Sequence, residues 1–447
     1  MKIARFCQLL FLGGTALCAR AAGPPYLSRH VGETIAKERA AIPDDAIRID
    51  LRVEAILAEV QAGQFPLIRC TLTNTANAPL CFRPGHASFK VFARTDDKQP
   101  ILFADHCIDF SPTEDPLVLR QGESATRSVA IGRGSGVAAT SLVAPGDYVL
   151  RLIVFGAPEA VAVRDGAEQN VTCVAESNEV SVQVRSADGD AKAALDRLYA
   201  WERLQEEIMS LSVDARASAE IKFLRGFLRE HGDSPYANQV RVRLLQVLRA
   251  PAKEDVKRIA YGAEPPGGQA SLDLFASTIQ ELAGAGLPYA ACVDRDALED
   301  LTLARRPDVL THAVARLLET DPADRSLDTV FASLANDCSN IERLKKKGYL
   351  SDAKTIEAFE STVMQCIERC AAWDGFRSVP FSSSAFTLLT ERQDWQLMRT
   401  VATRTIEVSE WPEGVLDHCA ADKTVQGSVT GEARKALLLA EVKIDAP

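Results

Sequence analysis

Hydrophobic and polar residues alternate along the N-terminal part of the chain. Apolar side chains occupy every second position in three segments, residues 51–55, 68–72 and 180–184. This period is that of a strand with one buried face. Further strand candidates, separated by turn-forming residues, are residues 89–93, 101–103, 125–131 and 148–155. About seven short strands without helical periods between them predict an antiparallel β-sandwich over residues 48–188.

The period changes after residues 186–190, and from there it is helical. Apolar residues recur at intervals of three and four, as in Leu195, Leu198, Trp201, Leu204, Ile208 and Leu211. A second stripe ends at His231 and Gly232, where an imidazolium would be favourable at a helix C-terminus. Ser234 is then expected as the N-cap of the next helix and Pro235 as its first residue. Two helices joined by so few residues are expected to be antiparallel neighbours.

Further helix pairs can be drawn towards the C-terminus. The candidates are residues 307–318 with 326–335, and 384–391 with 395–406. Residues 189–447 are therefore predicted to form an all-α helical-hairpin domain, and an irregular solenoid and a compact bundle fit this pattern about equally. Residues 263–270, with two prolines and two glycines, are the best candidate for a hinge. The predicted fold class is a multidomain β + α protein.

Three motifs in the strand region resemble a known family. They are residues 72–75 (LTNT), 119–124 (LRQGES) and 142–150 (LVAPGDYVL). Together they are similar to the pattern of bacterial exported Ig-like sandwiches, which also occurs in the intracellular proteinase inhibitor family. The resemblance implies an Ig-like fold in this third of the chain, with the ring of Tyr148 buried at a sandwich corner. It identifies a fold and not an activity, because this sandwich hosts many functions.

One segment of the helical region resembles a second family. Residues 227–237 (FLREHGDSPYA) are similar to the helix-turn-helix junction of bacterial tetratricopeptide-like repeat proteins of the envelope. The resemblance covers one helix pair. The residues expected through a full repeat do not recur at a fixed period, so a regular array is not predicted.

The first residues have the order of a secretory signal peptide. Lys2 and Arg5 precede an apolar stretch over residues 6–19, which is too short to cross a bilayer as a helix. Ala19 and Ala21 are the small residues that a signal peptidase reads, so cleavage is expected after Ala21. We therefore expect a signal peptide over residues 1–21, an N-terminal extension over 22–47, and a secreted or periplasmic protein with no membrane span after signal removal.

Net charge argues against nucleic acid as a partner. The chain has 51 Lys and Arg against 61 Asp and Glu, and its formal charge is −10. Nucleic-acid binding depends on clustered basic residues. The basic run at residues 345–347 is followed by Gly348, which is typical of a helix C-terminus.

Export makes disulfides feasible among the cysteines. In the strand region we expect Cys81 to pair with Cys107, since both lie just beyond strand candidates on loops that could meet. Cys70 alternates with Ile68 and Leu72 and so points inward, either as a buried thiol or as a partner of Cys173. Four cysteines allow three pairing patterns, and the sequence does not choose among them.

Candidate catalytic and metal motifs are weak. Cys366 and Cys370 lie one helical turn apart and could join His418 and Cys419 in a metal cluster, but buried or disulfide-bonded cysteine is the favoured interpretation. Ser351 and Lys354 match an S-x-x-K spacing, yet the companion elements of penicillin-interacting enzymes are absent. Ser351 is instead expected as a helix N-cap. No catalytic residue, cofactor or metal site is assigned.

The sequence favours a function that depends on binding surfaces and not on a reaction. Sandwich loops and stacked helices both carry binding faces. The favoured hypothesis is a non-catalytic binding or scaffold module with a protein or glycan partner in the envelope or outside the cell. The alternatives are an envelope hydrolase with a site assembled from distant residues, and a proteinase inhibitor acting through the sandwich. The oligomeric state is left open.

Overall fold

A computed structural model gives the structure of much of the chain. It describes residues 40, 42, 44–82, 88–95, 100–109, 117–130, 145–154, 159–164, 167–208, 210, 212–260, 270–293, 307–320, 324–327, 330–331, 334–335, 341–346, 352–372, 381–409 and 423–445. The expected signal peptide, residues 131–144 and most of the candidate hinge lie outside this part.

Strands come first along the chain. They are β1 (Ile47–Arg48), β2 (Asp50–Ala55), β3 (Glu59–Gln61), β4 (Leu67–Thr73), β5 (Leu80–Phe82), β6 (Ser88–Thr95), β7 (Pro100–Asp109), β8 (Leu117–Leu119), β9 (Ser124–Ala130), β10 (Gly146–Val154), β11 (Glu159–Arg164), β12 (Ala167–Glu176) and β13 (Val180–Arg185). Every segment that the alternation marked as a strand overlaps one of them. The short strands β3, β5 and β8 escaped the sequence analysis because three residues are too few to show a period.

The described strands form two sheets. The larger has the order β3-β13-β10-β12-β11-β5-β8, with β6 pairing to β10 and β7, and β1 pairing to β12. The smaller has the order β2-β4-β9 and is antiparallel throughout. Two pairings in the larger sheet, β1 with β12 and β3 with β13, are parallel. The expectation of antiparallel pairing alone is therefore wrong at these two places.

Alternation fixes which face of each strand is buried. In β2, Leu51 and Val53 are buried while Arg52 and Glu54 are exposed. In β13 the three valines are buried and the residues between them are exposed. Apolar residues of both sheets belong to one continuous core, which also includes residues of the helical region.

Helices follow the strands. They are α1 (Gly189–Ile208), α2 (Val213–His231), α3 (Ala237–Ala260), α4 (Ala270–Gly284), α5 (Pro307–Leu318), α6 (Ile341–Lys346), α7 (Ala353–Ala372), α8 (Ser383–Arg392), α9 (Trp395–Ser409) and α10 (Lys423–Ile444). Short 3-10 turns span Ala290–Cys292 and Arg325–Leu327. The last strand ends at Arg185 and α1 begins at Gly189, where the side-chain period changes. Among the described residues, no helix has both the length and the apolar character needed to cross a bilayer.

Neighbouring helices in sequence often pack together, as α1 does with α2, α2 with α3, α3 with α4, and α9 with α10. Each buries one stripe of side chains. In α3 the stripe Val240, Leu244 and Leu248 is buried, and α2 buries Leu224 and Phe227.

Two predicted helix caps are wrong. Helix α3 begins at Ala237, and the buried Ser234 hydroxyl has no hydrogen-bond partner, so Ser234 is not its side-chain cap. Asp352 provides the cap of α7, because its Oδ1 accepts a hydrogen bond from the Thr355 N–H at 2.9 Å. This hydrogen bonding to Thr355 lowers the pKa of Asp352. Ser351 lies outside the described residues.

Candidate functional site

The strand and helical regions meet at a buried aspartate. Asp324 immediately precedes the 3-10 turn Arg325–Leu327 and forms a parallel bridge with Thr126 of β9. Its relative exposure is 2%, and the neighbouring Ser128 and Ser326 are 5% and 8% exposed. A charge removed from water in this way needs several hydrogen bonds to compensate. We call these three residues the Asp324 junction.

Hydrogen bonds occupy both oxygens of the Asp324 carboxylate. The Ser128 hydroxyl donates to Oδ2. The Ser326 N–H donates to Oδ1 at 2.9 Å, and the Ser326 hydroxyl lies 2.5 Å from the same oxygen. The Ser128 N–H lies 2.9 Å from Ser326 Oγ and 3.3 Å from Asp324 Oδ1. Hydrogen bonds to an ionised acceptor are stronger than neutral ones, so this arrangement stabilises the contact between β9 and the turn.

A second contact lies at the turn between β3 and β4. The Tyr236 hydroxyl at the start of α3 donates to the Ala62 carbonyl at 2.8 Å. The Gln239 side-chain amide donates to the Gly63 carbonyl at 3.2 Å and accepts from the Phe65 N–H at 3.3 Å. All of these groups are buried. We call this contact the Tyr236 junction.

Close packing accompanies the hydrogen bonds at the Tyr236 junction. Gly63 has a φ of +80°, and a Cβ there would lie 2.7 Å from the Leu195 Cδ1 of α1. Burial raises the pKa of Tyr236, with a further contribution from Tyr199, so its hydroxyl stays a neutral donor at physiological pH. Burial, together with Glu202 and Asp196, raises the pKa of Tyr199 to about 12.

The inward cysteines of the strand region are thiols. Cys70 on β4 and Cys173 on β12 are both buried and not disulfide-bonded, so the alternative in which they pair is wrong. Burial raises the pKa of Cys70, and the negative charge of Asp324 raises it further. Burial raises the pKa of Cys173 to about 12. Since the thiolate is the nucleophile, neither residue is reactive at neutral pH.

The structure tests only some of the other predictions about cysteines. Cys81 on β5 is disulfide-bonded. The side chain of Cys107 lies outside what the structure describes, so its pairing with Cys81 stays a prediction. Cys366 and Cys370 are buried thiols on the inward face of α7. His418 and Cys419 lie outside the described residues, and the described ones contain no cluster of three or more potential metal ligands.

Charged residues of the helical region are paired across helices. Arg243 of α3 binds both carboxylate oxygens of Glu220 on α2, at 2.6 and 3.1 Å. Glu360 of α7 pairs with Lys345 and with Arg392 of α8. Each of these carboxylates is paired with a cation of a neighbouring helix. The pairs link α2 to α3, and they link α7 to both α6 and α8.

The Asp324 junction has a structural rather than a reactive geometry. A carboxylate beside a serine hydroxyl can accept its proton. Both serines are nearly inaccessible, however, and both carboxylate oxygens are already engaged. No substrate atom can approach these hydroxyls in the folded state, so the group serves to hold the two regions together.

Neither junction is apparent from a local pattern in the sequence. The Asp-x-Ser spacing at residues 324–326 is a signal for a local turn, in which an Asp side chain binds the backbone two residues later. That signal does not reveal Ser128, which lies 196 residues away. Tyr236 was similarly noticed only as part of a repeat-like motif, and its partner Ala62 lies 174 residues away.

Comparisons with known proteins give little beyond this description. No family model matches the chain, and no curated protein is significantly similar to it. One similar solved structure is a type I cohesin from Pseudobacteroides cellulosolvens, with 12% identity over 31% of this chain and 94% of the cohesin, at a TM-score of 0.17. Another is a de novo designed helical repeat protein, with 14% identity over 57% of this chain and 98% of the design, at a TM-score of 0.16.

A third similarity is to the native conformation of E. coli alpha-2-macroglobulin. It has 12% identity over 88% of this chain and 22% of that protein, at a TM-score of 0.15. TM-scores this low carry no argument about the fold or function of this chain.

Proposed function

We propose that this protein is an exported, non-catalytic binding or scaffold module that binds a protein or glycan partner in the envelope or outside the cell. Its two sheets are the faces of an Ig-like sandwich, and its helices are stacked hairpins. A signal-like N-terminus and a disulfide at Cys81 support export to an oxidising compartment.

The observation that carries the proposal is the double attachment between the two regions. The Asp324 junction contacts β9, whereas the Tyr236 junction contacts the turn between β3 and β4, and the two use different segments of the helical region. Two buried attachments hold the exposed surfaces of the strand and helical regions in a constant relation. Preorganised surfaces lose less conformational freedom on binding, so such a construction suits a binding module.

The test is whether the purified full-length chain binds a partner without converting it chemically. We expect saturable, stoichiometric binding of one protein or glycan, with the partner recovered chemically unchanged. Calorimetry with envelope fractions resolved into single components, followed by mass spectrometry of the bound partner, measures both. A folded variant with a loosened junction, Asp324→Asn, should bind more weakly than a surface control, Glu357→Gln.

Each alternative has a distinct result. Hydrolysis of an ester, peptide or glycan by the full chain would replace the proposal by the envelope hydrolase. Slowing of a protease at stoichiometric concentration would replace it by the proteinase inhibitor. Equal partner affinity of Asp324→Asn and wild type would show that the joint presentation of the two regions does not matter for binding.

A further inference from the structure

Helix α10 exposes apolar residues on the side that faces away from the protein. Its inward side buries Ala433, Ala436 and Ala440, where it packs against α8 and α9. On the outward side, Leu438 is 63% exposed and Val442 is 66% exposed. Leu439, next to them, is also exposed. Single exposed apolar residues are ordinary, but three within two successive turns of one helix form a continuous patch.

The patch continues in both directions as a regular seam. The exposed residues Lys435, Leu438, Val442 and Asp445 follow one another at spacings of three, four and three. This is the spacing at which two helices of a coiled coil meet. Asp445 directly follows α10, and its N–H continues the helical pattern by donating to the Glu441 carbonyl at 3.0 Å. The apolar pair lies at the centre of the seam, a cation lies at its N-terminal end and an anion lies at its C-terminal end.

The geometry points to a second copy of this chain as the occupant of the seam, with the two α10 helices packed antiparallel. In this arrangement the two-fold axis crosses the helices at the height of Ala440. Leu438 then faces Val442 of the second copy, and Lys435 faces Asp445 of the second copy. The same apolar and charged contacts are thereby made twice, once on each side of the axis, as a two-fold interface requires.

Charge decides between the two directions of packing. Parallel helices in register would place Lys435 against Lys435 and Asp445 against Asp445. Like charges at such positions disfavour a pairing, whereas opposite charges favour it. Only the antiparallel arrangement therefore satisfies the whole seam.

The area of the seam sets the strength of the pairing. Three apolar side chains bury less than the ~800 Å² per partner of a standard stable interface. The dimer is therefore concentration-dependent, and it is independent of the proposed binding function.

Sedimentation velocity of the full-length chain, from about 1 to about 300 µM, tests the dimer at these weak affinities. Wild type should shift from monomer to dimer across this range. Leu438→Glu with Val442→Glu should remain monomeric, because the substitutions place buried carboxylates at the centre of the seam. Val213→Glu is the matched control: Val213 is 69% exposed on α2, so this substitution should leave the dimer unchanged.

Charge reversal tests the direction of packing. Lys435→Glu alone and Asp445→Lys alone should each weaken the dimer by about fivefold, because each places like charges in opposition. The double variant should recover the wild-type dissociation constant, since the two opposite charges are restored. Circular dichroism verifies that each variant keeps its helices.

Three results would overturn the inference. They are a wild type that stays monomeric throughout the range, a dimer that survives the Leu438→Glu and Val442→Glu substitutions, and a double charge reversal that fails to recover affinity. A loss of partner binding with the dimer intact would bear on the proposed function alone.

Discussion

At Gly63 the backbone and the packing both require a residue without a side chain. Its φ of +80° lies in the left-handed region, and the Leu195 Cδ1 occupies the space in which a Cβ would stand. Gly122 has nearly the same backbone conformation, with a φ of +78°, but nothing lies within 4 Å of an added Cβ. A substitution at Gly122 would therefore add backbone strain alone, whereas one at Gly63 would add backbone strain and a steric clash.

We predict that Gly63→Ala destabilises the protein more than Gly122→Ala. The Gly122 substitution should cost about 1–2 kcal/mol, which is the strain of a left-handed alanine. The Gly63 substitution should cost about 1–3 kcal/mol more, because the buried Leu195 must shift in a packed core. Urea unfolding of the two variants measures the difference, and equal costs would show that Leu195 relaxes freely.

The buried thiols make stability depend on alkaline pH. The pKa of Cys173 is about 12 in the folded protein against an ordinary value of 9.0, and that of Cys70 is also raised. Above pH 9 the unfolded chain ionises these thiols while the folded chain does not. Their contribution to stability is therefore fully present below pH 9 and is lost as the pH rises towards 12.

We predict a fall in the unfolding free energy between pH 9 and pH 12, with about 1.4 kcal/mol per pH unit from each such thiol. Unfolding curves over this range measure the slope. Cys173→Ala should have a shallower slope than wild type, whatever its stability at pH 7. An unchanged slope in this variant would contradict the assignment to Cys173.

At the scale of elements, one side chain closes an edge of the smaller sheet. Asn178 accepts a hydrogen bond from the Val53 N–H at 2.8 Å and donates to the Val53 carbonyl at 2.9 Å. Its amide thus imitates a neighbouring strand at the open side of β2. Capping of this kind protects an edge from pairing with other chains.

The ion pair between α2 and α3 is a link of a different kind. Glu220 and Arg243 are largely buried and doubly hydrogen-bonded. Removing one member leaves a charge without a partner in a poorly solvated place. Removing one member of an exposed pair changes the free energy of unfolding little, because water replaces the lost partner.

We predict that Glu220→Ala costs about 2–3 kcal/mol of unfolding free energy. Asp196→Ala is the matched control, because it breaks the exposed pair with Lys192 within α1 and should cost under about 0.5 kcal/mol. Chemical denaturation of both variants provides the comparison. A Glu220 variant as stable as the Asp196 variant would mean that Arg243 finds water or another acceptor.

Elements were predictable from the sequence to the extent that they are periodic. The segment predicted at residues 307–318 coincides with α5, and the alternation at residues 180–184 falls within β13. Strands β11 and β12 do not show the alternation: β11 has four consecutive apolar residues, and β12 alternates only over residues 171–173. The Asp352 cap was missed because Ser351 and Asp352 are both suitable N-cap residues, and sequence alone does not choose between them.

For the whole molecule, the Asp324 junction is the contact on which the relation of the two regions most depends. It joins β9 to the segment after α5 by hydrogen bonds that have no access to water. Truncating the aspartate removes the acceptor of the Ser128 hydroxyl and of the Ser326 N–H, whereas the Ser128 N–H keeps Ser326 Oγ as its acceptor. Each unsatisfied buried donor costs about 1–3 kcal/mol.

We predict that Asp324→Ala lowers the unfolding free energy by about 2–4 kcal/mol, while Glu357→Ala, at an exposed position of α7, changes it by under about 0.5 kcal/mol. Thermal and urea unfolding measure both. Limited proteolysis should also cleave the Asp324 variant faster between its strand and helical regions. Wild-type stability in the Asp324 variant would show that the two regions are held together by other contacts.

Local patterns in the sequence are enough to predict the order of strands before helices, the point near residue 188 where the period changes, and the inward direction of Cys70. These properties depend on side chains a few positions apart, so local patterns contain them. The pairing of the strands, the cysteines that stay reduced and the junctions between the two regions emerge only in the folded chain. The hydrogen bonds that join the two regions connect residues 174 to 198 positions apart, and no local period carries information over such a distance.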